Sequence, residues 1–228
     1  MQGRRYITSA RHCVEDFLDP ALARDLSAGP GGEVREVTGD LQRAVEVFDP
    51  VTHRRIALVD RVAVGTGSMD LLVATTTAES GDYARRPAPR VDSVPSVGDE
   101  VATFASSGAD GFLPRRITGV YLGVFSFTGS GGLVHTVDLT GYRQPASSGL
   151  IGRGHSGHSP TGAGGAAFGP VLFSLNDQTP PDQRVAELRQ MTSATGIDLA
   201  GAGFVGIDET LHLDAGDYRR LAEALRDP

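Results

Sequence analysis

The sequence predicts an all-β protein made of two halves. Three observations carry this. Thirty glycines and thirteen prolines in 228 residues are many for a helical protein and suit a turn-rich chain. Short apolar runs bounded by turn residues recur through the chain, the pattern of a β-barrel or sandwich. Residues 83–95 are rich in Arg and Pro, show no hydrophobic period and read as an inter-domain linker.

The first half opens with Tyr6-Ile7-Thr8-Ser9-Ala10-Arg11-His12-Cys13-Val14, a strand running into a turn, because Tyr, Ile and Thr favour extended backbone. Val14, Phe17, Leu18 and Leu22 fall near helical spacing, but Pro20 interrupts them, which predicts one or two short helical turns. Val34 and Val37 flank two charged residues, and Ala44-Val45-Glu46-Val47-Phe48 alternates. Ile56-Ala57-Leu58-Val59 and Val62-Ala63-Val64 are two further apolar runs. A turn at Gly65-Thr66-Gly67-Ser68-Met69 leads into the strand Asp70-Leu71-Leu72-Val73-Ala74-Thr75, with an acid at its mouth.

In the second half, strands are predicted at Gly98-Asp99-Glu100-Val101-Ala102-Thr103-Phe104, from Arg116 to Phe125, at Leu133-Val134-His135-Thr136-Val137-Asp138-Leu139, and at Phe168-Gly169-Pro170-Val171-Leu172-Phe173-Ser174-Leu175. Thr179-Pro180-Pro181 starts a helix, with Thr179 as N-cap, Val185, Leu188 and Met191 or Thr192 on one face, and Gly196 as terminator. A last strand is read at Gly203-Phe204-Val205-Gly206-Ile207. A closing helix follows, N-capped by Asp214, with Tyr218, Leu221, Ala222 and Leu225 as its apolar stripe.

Composition excludes some functions. A net charge of −7 argues against a nucleic-acid partner, which calls for a basic face. No run of 18 apolar residues predicts a membrane-spanning helix, and no apolar stretch near the N-terminus reads as a secretory signal. Cys13 is the single cysteine, so no internal disulfide or cysteine-based zinc cluster is expected. These features favour the cytoplasm and also fit an exported protein that does without disulfides.

Three stretches carry chemistry. Thr8-Ser9-Ala10-Arg11-His12-Cys13 resembles the histidine motif of the chymotrypsin-like serine proteases, Asp70-Leu71-Leu72-Val73 their aspartate motif, and Gly154-His155-Ser156-Gly157 their Gly-Asp-Ser-Gly motif. The order His, Asp, Ser is also theirs, with spacings of 58 and 86 residues. The resemblance runs from about Tyr6 to the C-terminal helix. It implies two antiparallel six-stranded barrels: 1–82 carrying His12 and Asp70, and 96–228 carrying Ser156 and the closing helix. It implies a serine endopeptidase with no cofactor or metal, acting on a protein or peptide. His12 would be general base then acid, Asp70 would fix its tautomer, and Ser156 would attack the scissile carbonyl. The backbone N–H groups of Gly154 and Ser156 would hold the oxyanion, where one donor is worth about 100- to 1000-fold. Ser174 and Leu150 would line the primary substrate pocket, and leucine at 150 implies small or apolar side chains there.

The chain departs from the family in three places. His155 replaces the usual Asp, so a switch that pairs that Asp with a new N-terminus cannot operate. The serine loop, Gly157-His158-Ser159-Pro160, is one residue longer, which makes Ser159 a rival nucleophile. Family members carry about two more strands ahead of the histidine, so an upstream segment or another chain is expected to complete the first barrel. Other readings stand beside these. Cys13, without a partner, is expected buried and inert; His155 with His158 forms a weak metal pair; His53 and His135 are lone structural or solvated residues. A protease-fold binding or regulatory module without catalysis is the competing function. A lectin-like or nucleic-acid-binding β domain lacks the aromatic and basic residues it needs.

Overall fold

The structure is a computed structural model that describes residues 5–29, 31–37, 45, 47–48, 52, 54–79, 95–105, 115–129, 132–143, 156–162, 168–176 and 179–225. The expected linker at 83–95 lies almost wholly outside these residues, as do His53, Leu150, Gly154 and His155. The chain forms two compact units, Met1–Pro89 with Leu213–Pro228, and Arg90–His212.

The first unit holds a five-stranded antiparallel sheet. Its strands are β1 (Arg5–Ser9), β2 (Val34–Val37), β3 (Val47–Phe48), β4 (Arg55–Gly65) and β5 (Leu72–Glu79). They run in the order β1-β5-β4-β2, with β3 also paired to β4. The two apolar runs at 56–59 and 62–64 are one strand, because irregularities in the β4–β5 register near Val59 shift the alternation without ending the pairing. Helix α1 (Pro20–Ala28) starts at the proline read as an interruption. Asp19 caps it by accepting from the N–H groups of Ala21 and Leu22, and Pro20 occupies a position where a missing N–H costs nothing. Leu26 is fully buried among Leu18, Val62, Val64, Leu72 and Ala74.

The closing helix was expected with the second half. It belongs to the first unit, where α3 (Ala215–Ala224) packs on β2 and Arg61 of β4 donates to the carbonyl of Ala224. Asp214 and Asp217 form the capping box at its start, and Leu221 and Leu225 are buried.

The second unit holds a six-stranded antiparallel sheet: β6 (Glu100–Ala105), β7 (Arg115–Thr128), β8 (Val134–Tyr142), β9 (Thr161–Gly162), β10 (Val171–Leu175) and β11 (Gly206–Leu211). The order is β10-β11-β8-β7-β6-β9. Mostly β, with two antiparallel sheets and few helices, the protein has the all-β character the sequence predicts; neither sheet closes on itself among the described residues. On one face, Phe125, Leu139, Leu175 and Ile207 pack with Met191 of α2 (Pro181–Thr195). The N-cap of α2 is Pro180, not Thr179, whose hydroxyl accepts from the N–H of Asn176 instead. Val185 is 47% exposed, so the apolar stripe begins at Leu188. The last strand starts at Gly206, three residues later than expected, because the chain is still turning at Gly203 (φ 73°).

The other face of this sheet is polar. Thr103, Asp138, Thr140, Tyr142, Asp208 and Thr210 are all buried. Tyr142 lies over Gly119, where an added Cβ would come within 2.7 Å of its ring, so only glycine fits there.

Candidate active site

His12 and Asp70 come together through strand register. β1 and β5 are antiparallel, with Ser9 opposite Leu72. The chain leaving Ser9 and the chain entering Leu72 therefore share one end of the sheet. A 3-10 turn at Arg11–Cys13 then swings His12 over Asp70. Arg11 anchors that turn from inside. Its buried guanidinium donates to the carbonyl of Gly65 at 2.7 Å and pairs with Glu15 at 2.9 Å.

Asp70 grips His12 at two points. Oδ1 accepts from the His12 backbone N–H at 2.9 Å, and Oδ2 lies 2.7 Å from Nδ1. With Nδ1 carrying the proton, Nε2 holds the lone pair of the neutral ring. Burial pushes the Asp70 carboxyl up, but the hydrogen bonds and charge of His12, with help from Arg11, outweigh it and hold it below its ordinary 3.8. The imidazole is raised from 6.5 to about 10, chiefly by the Asp70 hydrogen bond and then by the Cys13 side chain, against the opposing effect of burial. Cys13, expected buried, is free and exposed. Directly after a histidine at the sheet end it has no core to enter.

Ser156 stands in the second unit at the start of a turn, half-buried. The turn is tied to both edges of the six-stranded sheet. Gly157 N–H donates to the carbonyl of Val171 (2.8 Å), Val171 N–H to that of His158 (2.7 Å), and Phe168 N–H to that of Pro160 (2.8 Å). Beyond it, β9 pairs with β6. Gly157 has φ 87°, a conformation that a side chain would strain. Ser159, the rival nucleophile, is half-buried on the same loop. Gly154 and Leu150, assigned to the oxyanion hole and the pocket, lie outside the described residues.

Ser174 sits on β10 directly opposite Asp208 of β11, and its Oγ donates to Asp208 Oδ1 at 2.6 Å. Asp208 is 0% exposed. Sequence reasoning missed it, since the strand read at 203–207 ended one residue short. A second imidazole–carboxylate pair joins His212 Nδ1 to Asp138 Oδ2 at 3.0 Å, and Asp138 also accepts from the Tyr121 hydroxyl at 2.7 Å. Asp138 is buried and holds three strands together, a structural role.

No protein-family model matches the chain, and no curated protein is significantly similar to it in sequence.

Proposed function

We propose that the chain is a serine endopeptidase of the chymotrypsin-like kind, with each sheet the described part of a barrel. The observation that carries this is the two-point grip of Asp70 on His12, which orients the ring and fixes its tautomer. A carboxylate placed this way stabilises the imidazolium that forms when the ring accepts a proton. Ser156 supplies the nucleophile from a turn pinned by hydrogen bonds on both sides. The reading requires Nε2 of His12 to take the Ser156 proton as Oγ attacks a peptide carbonyl. The proton then passes to the leaving amine, and water clears the acyl-enzyme.

The test is covalent labelling with a fluorophosphonate, followed by mass-spectrometric mapping. Labelling that is lost in Ser156→Ala and kept in Ser159→Ala supports the reading. An adduct on Ser159 alone moves the nucleophile, and a folded, full-length chain that takes no label contradicts the reading.

One observation favours the non-catalytic alternative, a protease-fold binding or regulatory module. An imidazole raised to about 10 is charged at neutral pH, and a charged ring cannot accept the serine proton. On that reading the His12–Asp70 pair is a structural ion pair, and neither serine labels at any pH.

A further inference from the structure

The distal end of β7 is an open strand edge. On its outer side β7 pairs with β6 up to Val120, and the last bonds there join Tyr121 to Gly98 and Asp99. From Gly123 to Thr128 the only strand paired with it among the described residues is β8. The ladder fixes which main-chain groups face outward. Gly129 N–H donates to the carbonyl of Leu133 at 2.8 Å, and bonded and non-bonded positions alternate along an antiparallel pair. Phe127 and Phe125 therefore turn their N–H and C=O groups toward β8, while Val124, Ser126 and Thr128 turn theirs away from it.

Open edges are usually guarded by charge, by a bulge or by brevity. β2 carries Arg35 and Glu36, which pair with Asp25 and Arg61. β9 is two residues long, and the outer side of β10 is taken by Gly157 and His158. The end of β7 has no such guard. Its bulge, between Tyr121 and Gly123, precedes the open stretch. From Ile117 to Val137 the chain holds no Asp, Glu, Lys or Arg. Val124 is 44% exposed, and Ser126 and Thr128 are exposed beside it.

The open stretch reads nearly the same in both directions: Val124-Phe125-Ser126-Phe127-Thr128. Two copies laid antiparallel about a two-fold axis at Ser126 set serine against serine and each Phe125 against a Phe127. Val124 then meets Thr128, a side chain of nearly the same shape, and every outward N–H meets an outward C=O. Phe125 and Phe127 already stack with centroids 5.3 Å apart, and His135 stacks on Phe127 at 5.2 Å. Aromatic pairs across the new strand boundary extend that stack. A net charge of −7 makes two copies repel, and contact through an uncharged strand keeps those charges apart.

We propose that residues 124–128 are a self-association site, where two copies of this chain join their six-stranded sheets into one continuous sheet across a two-fold axis at Ser126. The pairing is weak, because one short strand per copy falls well below the roughly 800 Å² per partner of a standard stable interface. It does not depend on the serine-hydrolase reading.

The experiment is sedimentation equilibrium of the full chain from roughly 1 μM to 1 mM, the span of weak affinities. The wild type should pass from monomer to dimer within that range. Ser126→Lys and Ser126→Glu each set like charges against each other at the axis, so each variant alone should stay monomeric. An equimolar mixture of the two should dimerise, because lysine then faces glutamate. Thr128→Lys, which sets a charge against the valine of the second copy, should weaken association about 10-fold or more. Circular dichroism checks that each variant is folded, and if a Ser126 variant is not, Thr128→Lys decides. A wild type still monomeric at the highest concentration, growth beyond a dimer, or full association in Ser126→Lys or Thr128→Lys overturns the proposal. So does a mixture of folded Ser126 variants that stays monomeric.

Discussion

Ser9 stands opposite Leu72 in the β1–β5 pair, and that single register places His12 against Asp70. A slip of one residue would turn the side chains of β1 to the other face of the sheet and separate the two groups. The position of the candidate base is thus a property of the sheet, with Arg11 locking the turn between them.

Removing the Asp70 charge while keeping its shape isolates its effect on His12. Asp70→Asn should lower the His12 pKa and slow phosphonylation of Ser156 on the order of 10⁴-fold, as expected when the ring is held in the wrong tautomer. Ring proton shifts followed by NMR across pH report the first effect and labelling kinetics the second. An unchanged labelling rate would show that Asp70 is no part of the chemistry.

The same pair makes stability and reactivity run in opposite directions with pH. The folded His12 pKa is raised, from 6.5 to about 10, so its stabilising contribution is complete below 6.5 and is lost as pH climbs through 10. The folded Asp70 pKa is lowered, so its contribution is present above 3.8 and is lost as pH falls through the lower, folded value. Denaturant midpoints of the wild type minus those of His12→Gln should therefore shrink between pH 6.5 and 10. Labelling needs the neutral ring, so its rate should rise over the same interval. A labelling rate that is flat from pH 6 to 10 would remove His12 from the role of base.

Glu209 gives a pH effect in the other unit. Burial, and then the charge of Glu187, raise its carboxyl from 4.5 to about 7. Ionising it opposes folding, so stability falls as pH rises from 4.5 through 7. Glu209→Gln should gain melting temperature at pH 8 and change little at pH 4.5. A gain of equal size at both pH values would mean that the charge is not the cause.

Gly119 tests the packing on the polar face of the six-stranded sheet. A Cβ there would meet the Tyr142 ring at 2.7 Å and the Thr140 methyl at 2.8 Å. Gly119→Ala should cost about 1–3 kcal/mol, the usual range for overpacking. Thermal melts with two probes would measure it, and a neutral result would show that Tyr142 has room to move.

Much of this architecture is legible in the residues because its causes are local. Strands announce themselves by alternation, Asp214 and Gly196 by the chemistry of helix ends, and His12 by the strand that delivers it. Long-range causes are harder to read. Pro20 breaks a pattern on paper but starts a helix once Asp19 caps it. The closing helix joins the first unit through Arg61 and β2, contacts that no spacing encodes. Asp208 escaped notice because the turn through Gly203 delays the strand by three residues, and its partner Ser174 lies 34 positions away.

The most direct test of the central claim is the rate at which a fluorophosphonate modifies Ser156 in the wild type and in His12→Ala at pH 9, with both proteins shown to be folded. If His12 takes the serine proton, the variant should react at least about 1000-fold more slowly, in line with loss of a general base. Equal rates in the two proteins would contradict the account.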